Sequence, residues 1–314
     1  MSRVKRLRLL LLAVAAALAA ALPAEARDVR AAGPVGTLGV TATEVAYAAR
    51  HRPGCHELRV WDTADRGVRR YASHCFAATS TGSGIAAVSV SLRRALWLTY
   101  TGGNIREWSL WTRTRTSAAR RIAFQARDVD GPAPFVVGSA WEGSLPYAAD
   151  ATIVVLRPNG ARRFTLRAPD RVVALSAHSR GYAAVLANGN VLTVSADGRP
   201  LREHRFDETV RAAVLAGPGL VASTASGLEL RNGSAVRRFP LPAGSRFLGF
   251  SEGIVAYGTG AQLRLLRLNG ARDTLFRTLA PRFHAQLGRR GLGYASGRTV
   301  SFHAWSTVSA AAHR

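Results

Sequence analysis

The sequence predicts an all-β protein assembled from one antiparallel unit used repeatedly, and three observations carry that expectation. Five short apolar runs open on tyrosine followed by small residues: Tyr47-Ala48-Ala49, Tyr147-Ala148-Ala149, Tyr182-Ala183-Ala184, Tyr257-Gly258-Thr259 and Tyr294-Ala295-Ser296. Tight turns recur almost literally, Leu156-Arg157-Pro158-Asn159-Gly160-Ala161-Arg162 returning as Leu266-Arg267-Leu268-Asn269-Gly270-Ala271-Arg272. Between turns the chain runs in segments of five to nine residues rich in Val, Leu, Ala, Tyr and Thr, which is strand grammar. Beyond residue 26 no sustained helical stripe is visible, so almost no helix is expected. A unit repeated at a fixed period signals radial or linear repetition.

Residues 1–26 stand outside the cadence. Arg3, Lys5, Arg6 and Arg8 give a basic start, residues 9–22 an apolar core of 14, and Ala24-Glu25-Ala26 the small-x-small pattern cut by signal peptidase. That core is shorter than the ~20 residues of a membrane-spanning helix. No cysteine stands at the cut site to carry a lipid. The segment is expected to be a cleavable signal peptide, and the remaining 288 residues (314 − 26) a secreted chain with no transmembrane segment.

The modules align on their second strands, at 44–49, 95–100, 144–149, 181–187, 220–226, 254–258 and 292–296. Successive spacings of roughly 35 to 50 residues match four-stranded propeller blades. The fourth module shows the whole unit, with strands at 172–177, 181–187, 191–195 and 201–206. Ser179-Arg180, Asn188-Gly189 and Asp197-Gly198 punctuate them; Asn-Gly and Asp-Gly accept the positive φ of a tight hairpin. The expectation is a seven-bladed β-propeller of four-stranded antiparallel blades over residues 35–314, with 27–34 as an N-terminal segment. The seventh blade lacks an outer strand. Either 307–311 or the segment 28–32 fills it, and the latter is favoured because it closes the ring and removes an open sheet edge. Outer strands often end in phenylalanine (Phe124, Phe164, Phe206, Phe239, Phe276), as expected if each packs on the next blade. The six tryptophans are read the same way, a carbohydrate platform being the alternative.

Over residues 35–305 the chain resembles the propeller superfamily of WD40-like and quinoprotein-like repeats, in a secreted bacterial form. The resemblance rests on cadence, turns and one literal Trp61-Asp62 closing a third strand. The Gly-His partner element of WD40 repeats and the Trp-docking motif of quinoproteins are missing, so the resemblance implies the fold and carries no cofactor or partner with it.

Cys55 and Cys75 have mirror-image flanks, Cys55-His56 and His74-Cys75, around a turn at Ala64-Asp65-Arg66-Gly67. A hairpin register centred on Asp65 sets Cys55 opposite Cys75 and His56 opposite His74. A disulfide is the favoured reading, since opposed strand residues meet its Cα separation and exported proteins retain such bonds. A Cys₂His₂ zinc site is the rival; strand alternation sends neighbouring Cys and His to opposite faces, and the spacing fits no zinc-finger pattern. Two free thiols are the third alternative.

Nucleophile elbows, P-loops, His-Glu-x-x-His and EF-hand loops are absent. Asp128-Val129-Asp130-Gly131 reads as an acidic turn, His178-Ser179 as a hairpin turn with no acid to orient the ring, and Asn232-Gly233-Ser234 as a turn that also fits a glycosylation sequon. No catalytic residue, cofactor or metal is assigned. The net charge is +24, about +21 once a leader of net +3 is removed, and Lys5 is the only lysine. GC-rich codon usage explains arginine replacing lysine but not the excess of base over acid. That surplus attracts polyanions such as cell-wall polymers, phospholipid headgroups or extracellular DNA. The attraction is salt-sensitive and unspecific, so no specific nucleic-acid recognition is expected. The pairs Arg69-Arg70, Arg120-Arg121, Arg162-Arg163 and Arg237-Arg238 on outer strands blunt edges or form a polyanion belt.

The functional expectation is a secreted, monomeric binding or scaffold module for a protein or anionic envelope ligand. Ligand contact is placed on the face carrying the loops that enter each innermost strand, at Arg50, Arg52, Asp128, Asp130, Asp170, Arg171, Asp207, Arg246 and Arg282. A charged, solvated loop face is the bland alternative. The enzyme alternative is a propeller-type lyase or hydrolase acting in the channel mouth, disfavoured because the inner strands at 85–90, 135–138 and 210–215 are apolar and small, with His284 an exception.

Overall fold

The computed structural model describes residues 27–77 and 81–314; the signal-peptide expectation falls on residues outside that set. Seven four-stranded antiparallel sheets are arranged as the blades of a propeller. Blade one is β2 (Val35–Val40), β3 (Glu44–Arg52), β4 (Cys55–Asp62) and β5 (Val68–Cys75). Blade two runs from β6 (Gly84–Ser91) through β7 (Arg94–Gly102) and β8 (Ile105–Thr114) to β9 (Arg120–Asp128). Blade three holds β10 (Phe135–Val137), β11 (Leu145–Ala149), β12 (Thr152–Leu156) and β13 (Arg162–Arg167), and blade four β14 (Val172–His178), β15 (Gly181–Leu186), β16 (Val191–Ser195) and β17 (Pro200–His204). Blade five is β18 (Ala212–Ala216), β19 (Gly219–Ser223), β20 (Gly227–Asn232) and β21 (Ala235–Pro240); blade six is β22 (Arg246–Ser251), β23 (Ile254–Thr259), β24 (Gln262–Arg267) and β25 (Arg272–Thr278). Blade seven combines β26 (His284–Gly288), β27 (Gly291–Ser296) and β28 (Thr299–Ala304) with β1 (Arg27–Arg30) from the other end of the chain.

The ring is therefore locked by pairing β1 to β28, with Arg27 opposite Phe302 and Arg30 opposite Thr299. The Ala31 N–H donates to Arg298 O at 2.7 Å, and the Arg298 guanidinium returns a bond to Ala32 O at 2.9 Å. The other segment considered for this place is helical: α1 spans Trp305–His313. Val308, Ala311 and Ala312 lie one helical turn apart and bury against blades six and seven. That stripe is too short to stand out as a period, and the Ala-rich sequence takes its helix from the surface it covers.

Each second strand is buried along most of its length, as β15 is throughout, because neighbouring blades cover both of its faces. This is why the Tyr-led runs are continuous rather than alternating. Tyr47, Tyr182 and Tyr257 are fully buried. The Tyr182 hydroxyl donates to Ser144 Oγ of blade three at 3.1 Å, and that of Tyr257 to Asp273 at 2.8 Å. Phe164, on the outer strand of blade three, meets Tyr182 edge-on at 5.3 Å, and Phe276 meets His303 of blade seven at 5.1 Å. Gly198, in its turn at φ 93°, sits so close to the Phe164 ring that a Cβ would lie 2.5 Å from it. Phe124 departs from the expected pattern. It is 48% exposed, with the Arg121 guanidinium 5.0 Å above its ring, because β9 is long and carries it outward. Of the tryptophans, Trp61, Trp97 and Trp108 are buried.

Some strand ends differ from expectation. The second strand of blade five stops at Ser223, where residues 224–226 form the turn into β20, and its innermost strand is Ala212–Ala216 rather than 210–215. In blade one Cys55 pairs with Cys75 and His56 with His74, but a bulge after Leu58 sets Arg59 opposite Arg70, so the Asp65-centred register holds only at the hairpin mouth.

Candidate functional site

A propeller has two unlike ends. The entry face carries the loops that lead from an outer strand into the next inner strand, together with the turns joining second to third strands. The opposite face carries the inner hairpin turns. Every residue assigned to ligand contact from sequence lies on the entry face or beside it, and they are spread around the ring.

Cys55 and Cys75 are joined by a disulfide on the entry face of blade one, their Cα atoms 4.1 Å apart. The sulfurs are bonded to each other rather than offered to a metal. His74 turns instead into the blade interface, where its Nε2 accepts from Trp97 Nε1–H at 3.0 Å and its ring stacks on Phe76. Arg52 lies along the disulfide, its Nε 3.1 Å from Cys55 Sγ and its Nη2 3.6 Å from Cys75 Sγ. Arg50 is exposed beside it.

Asp128 and Asp130 are exposed in the turn after β9, which is closed by Gly131 N–H to Asp128 O at 3.0 Å. Asp170 is a structural clamp: it accepts from the backbone N–H of its neighbour Arg171 at 2.6 Å and of Asn188 at 3.0 Å, pinning two loops of blade four. Asp207 pairs with Arg238 at 3.1 Å at the rim of a cleft of about 270 Å³ that also includes Glu208 and Glu229. Arg246 spans to blade seven, donating to Phe283 O at 3.2 Å with its guanidinium 4.8 Å from the Phe283 ring. Arg282 is exposed. His284, half-buried nearby, is held below the usual imidazole range by burial and by the charge of Arg246.

Two outer-strand arginine pairs acquire a specific role. In blade one Glu57 is buried and binds Arg59 at 2.8 Å and Arg70 at 3.7 Å; in blade five Glu229 is buried and binds Arg231 at 2.5 Å and Arg238 at 3.0 Å. Burial alone would raise either carboxyl, but the arginines outweigh it and both sit below the usual range. The sequence marks this device twice, as Glu57-Leu58-Arg59 with Val68-Arg69-Arg70 and as Glu229-Leu230-Arg231 with Val236-Arg237-Arg238.

The opposite face holds what sequence reasoning missed. The inner hairpin of blade three is a seven-residue loop over 138–144, where five of the other blades use two residues and β10 is cut to three. The loop leans onto blade four, with Ser139 N–H donating to Leu175 O at 3.1 Å and Ala177 N–H to Ser139 O at 3.0 Å. Gly138 permits the approach, since a Cβ there would lie 2.9 Å from Leu175 O. This carries Trp141 and Glu142 over the mouth of the central channel. The Trp141 ring lies 4.4 Å from that of His178, which in turn lies 6.4 Å from Phe250. Arg289 of blade seven reaches across to pair with Glu142 and places its guanidinium 6.0 Å from the Trp141 ring.

Together these residues line a basin of about 680 Å³, drawn from five blades and completed by Ser179, Ser251 and Glu252. Beneath it the channel narrows to a cavity of about 240 Å³ walled mainly by Ala, Leu and Phe side chains. His178 Nδ1 is 3.1 Å from Ser179 Oγ, and burial followed by the charges of Arg180 and Arg289 holds the ring below the usual imidazole range. Ser251 is 1% exposed, and its Oγ has no hydrogen-bond partner. One signal was available: the interval between Phe135 and Leu145 is too long for a two-residue hairpin.

Comparison with known proteins bears on the fold. No family model matches the chain, and no curated protein matches it in sequence. Among solved structures it is similar to the WD40 β-propeller domain of Doa1, with a TM-score of 0.56 at 11% identity over 90% of this chain and 97% of that one. It is similar also to the computationally designed Ika8 protein, at 0.51 and 14% over 87% and 97%, and to Saccharomyces cerevisiae Sqt1, at 0.50 and 10% over 88% and 97%. At such identities the likeness establishes the β-propeller fold alone.

Proposed function

We propose that the chain is an exported binding module whose entry face captures an anionic partner, either an acidic protein surface or a polyanionic envelope polymer. The observation that carries this reading is the state of the charges on that face. Asp170 is engaged by backbone amides and Asp207 by Arg238, while Arg50, Arg52 and Arg282 remain exposed. Among the described residues these three arginines form no ion pair, and although Asp128 and Asp130 are also exposed on this face, the chain as a whole carries 43 basic and 19 acidic residues. Such a field draws anions from a distance and raises the rate of encounter. Export is supported by the Cys55–Cys75 disulfide, which belongs to oxidising compartments. No helix among the described residues is long and apolar enough to cross a membrane.

The test is retention on heparin and on teichoic acid at low salt, compared with an Arg50→Glu, Arg282→Glu double variant. Arg246 is left intact because it also ties blade six to Phe283. Wild type should bind and elute between about 50 and 200 mM salt. The variant should elute much earlier with unchanged thermal unfolding, since exposed substitutions of this kind move stability by at most about 0.5 kcal/mol. Equal retention of the two proteins would refute the reading.

A further inference from the structure

The basin on the opposite face has its own chemistry, and it differs from that of the entry face. Its floor is aromatic and fixed: Trp141 is part-exposed, backed by the His178 ring at 4.4 Å, with Phe250 behind. Its rim offers donors and acceptors together. Glu142 and Arg289 are held in a pair across the mouth, Ser179 supplies a hydroxyl next to His178, and Glu252 adds a carboxylate from a turn in which its own φ is 46°. Ser251 belongs to the lining, but its Oγ is buried away from the open space.

The charge of the lining narrows the ligand class. Two carboxylates and one guanidinium leave the basin slightly negative in a chain of net +24, which disfavours an anion. An organic cation is disfavoured too, because the Arg289 guanidinium already occupies the position near Trp141 and Glu142 that such a group would take. What remains is a neutral molecule with an apolar face and many hydroxyls. A volume of about 680 Å³ lies within the ~300–1,000 Å³ typical of small-molecule sites.

We infer that this basin binds a neutral saccharide of two or three rings, its C–H faces against Trp141 and its hydroxyls bonded to Glu142, Arg289 and Ser179. The site is independent of the entry face, so the two can fail separately.

The probes are maltotriose, cellotriose and triacetylchitotriose, each titrated to about 10 mM into the full chain by calorimetry. At least one should bind with a dissociation constant below about 1 mM. Glu142→Ala should weaken that sugar about five- to tenfold, the loss expected for one hydrogen bond. Arg289→Gln should weaken it at least as much. Both variants should keep the wild-type melting temperature and heparin retention, which distinguishes loss of this site from loss of the fold or of the entry face. The proposal is overturned if none of the three sugars binds, if either variant binds as wild type does, or if N-acetyl-arginine amide or inorganic phosphate displaces the sugar from the basin.

Discussion

Blade one is held differently at its two ends, and the contrast describes the two faces of the molecule. On the entry face its third and fourth strands are closed covalently by Cys55–Cys75. On the opposite face the blade grips its neighbour through an ionisable hydrogen bond: Glu44, 5% exposed, accepts from the Arg93 backbone N–H at 2.8 Å, and the Tyr71 hydroxyl donates to Arg93 O at 3.0 Å. The gripped turn has Leu92 and Arg93 at φ 46° and 66°, a conformation that costs energy in residues other than Gly, Asn or Asp. One end therefore answers to redox conditions and the other to pH. The lesson is that a symmetric scaffold need not be equally robust on both sides.

The first way to sharpen the contrast is to cut the covalent end. Replacing Cys55 and Cys75 by serine should lower stability by about 3 kcal/mol, measured by chemical denaturation, because the bond closes a loop of some 20 residues. A change below about 1 kcal/mol would mean the staple is redundant.

The second concerns the titrating end. Burial raises the Glu44 carboxyl to about 7 against an ordinary value of 4.5. The folded chain thus holds this proton more tightly than the unfolded chain, so the stability contributed by Glu44 is fully present below about 4.5 and is lost as pH rises through about 7. Glu44→Gln keeps an acceptor for Arg93 and removes the titration. At pH 8 this variant should be more stable than wild type by about 2–3 kcal/mol, with the difference vanishing near pH 4. Parallel stability profiles for the two proteins would sink the assignment.

The third probes the paired glutamate devices. Arg238→Ala leaves Glu229 buried with one arginine, Arg231, and should lower the midpoint of chemical denaturation. Arg70→Ala should lower it less, since Arg70 stands 3.7 Å from Glu57 where Arg238 stands 3.0 Å from Glu229. The smallest effect is expected at Tyr47, whose buried hydroxyl lacks a partner. Tyr47→Phe should be neutral or stabilising by up to about 1 kcal/mol in thermal unfolding.

Legibility followed the same division. The strands, the seven-fold count and the Cys55–Cys75 pairing were readable because each rests on residues near one another in sequence. Antiparallel hairpins are local, and local patterns survive in one dimension. The short helix escaped because Val308, Ala311 and Ala312 form a stripe barely one turn long. Phe124 was misplaced because the pattern of the other outer-strand phenylalanines does not reveal how far β9 overhangs. Beyond the long interval between Phe135 and Leu145 the basin left no trace in the sequence: Trp141, His178, Ser251 and Arg289 come from four blades and meet only because the ring closes. His178-Ser179 is an ordinary turn in sequence, and its neighbours give it a different character.

The pairing of Arg27–Arg30 with β28 has a kinetic consequence. The first strand of the chain finds its partner only after nearly everything else has been made, so the circle is sealed by its earliest and latest pieces. Contacts this distant along a chain form slowly. Until they do, β28 keeps an unpaired rim able to recruit a strand from another copy. Concentration during refolding should therefore govern yield, and a separately added peptide carrying the sequence of β1 should act as a competitor for that vacant berth.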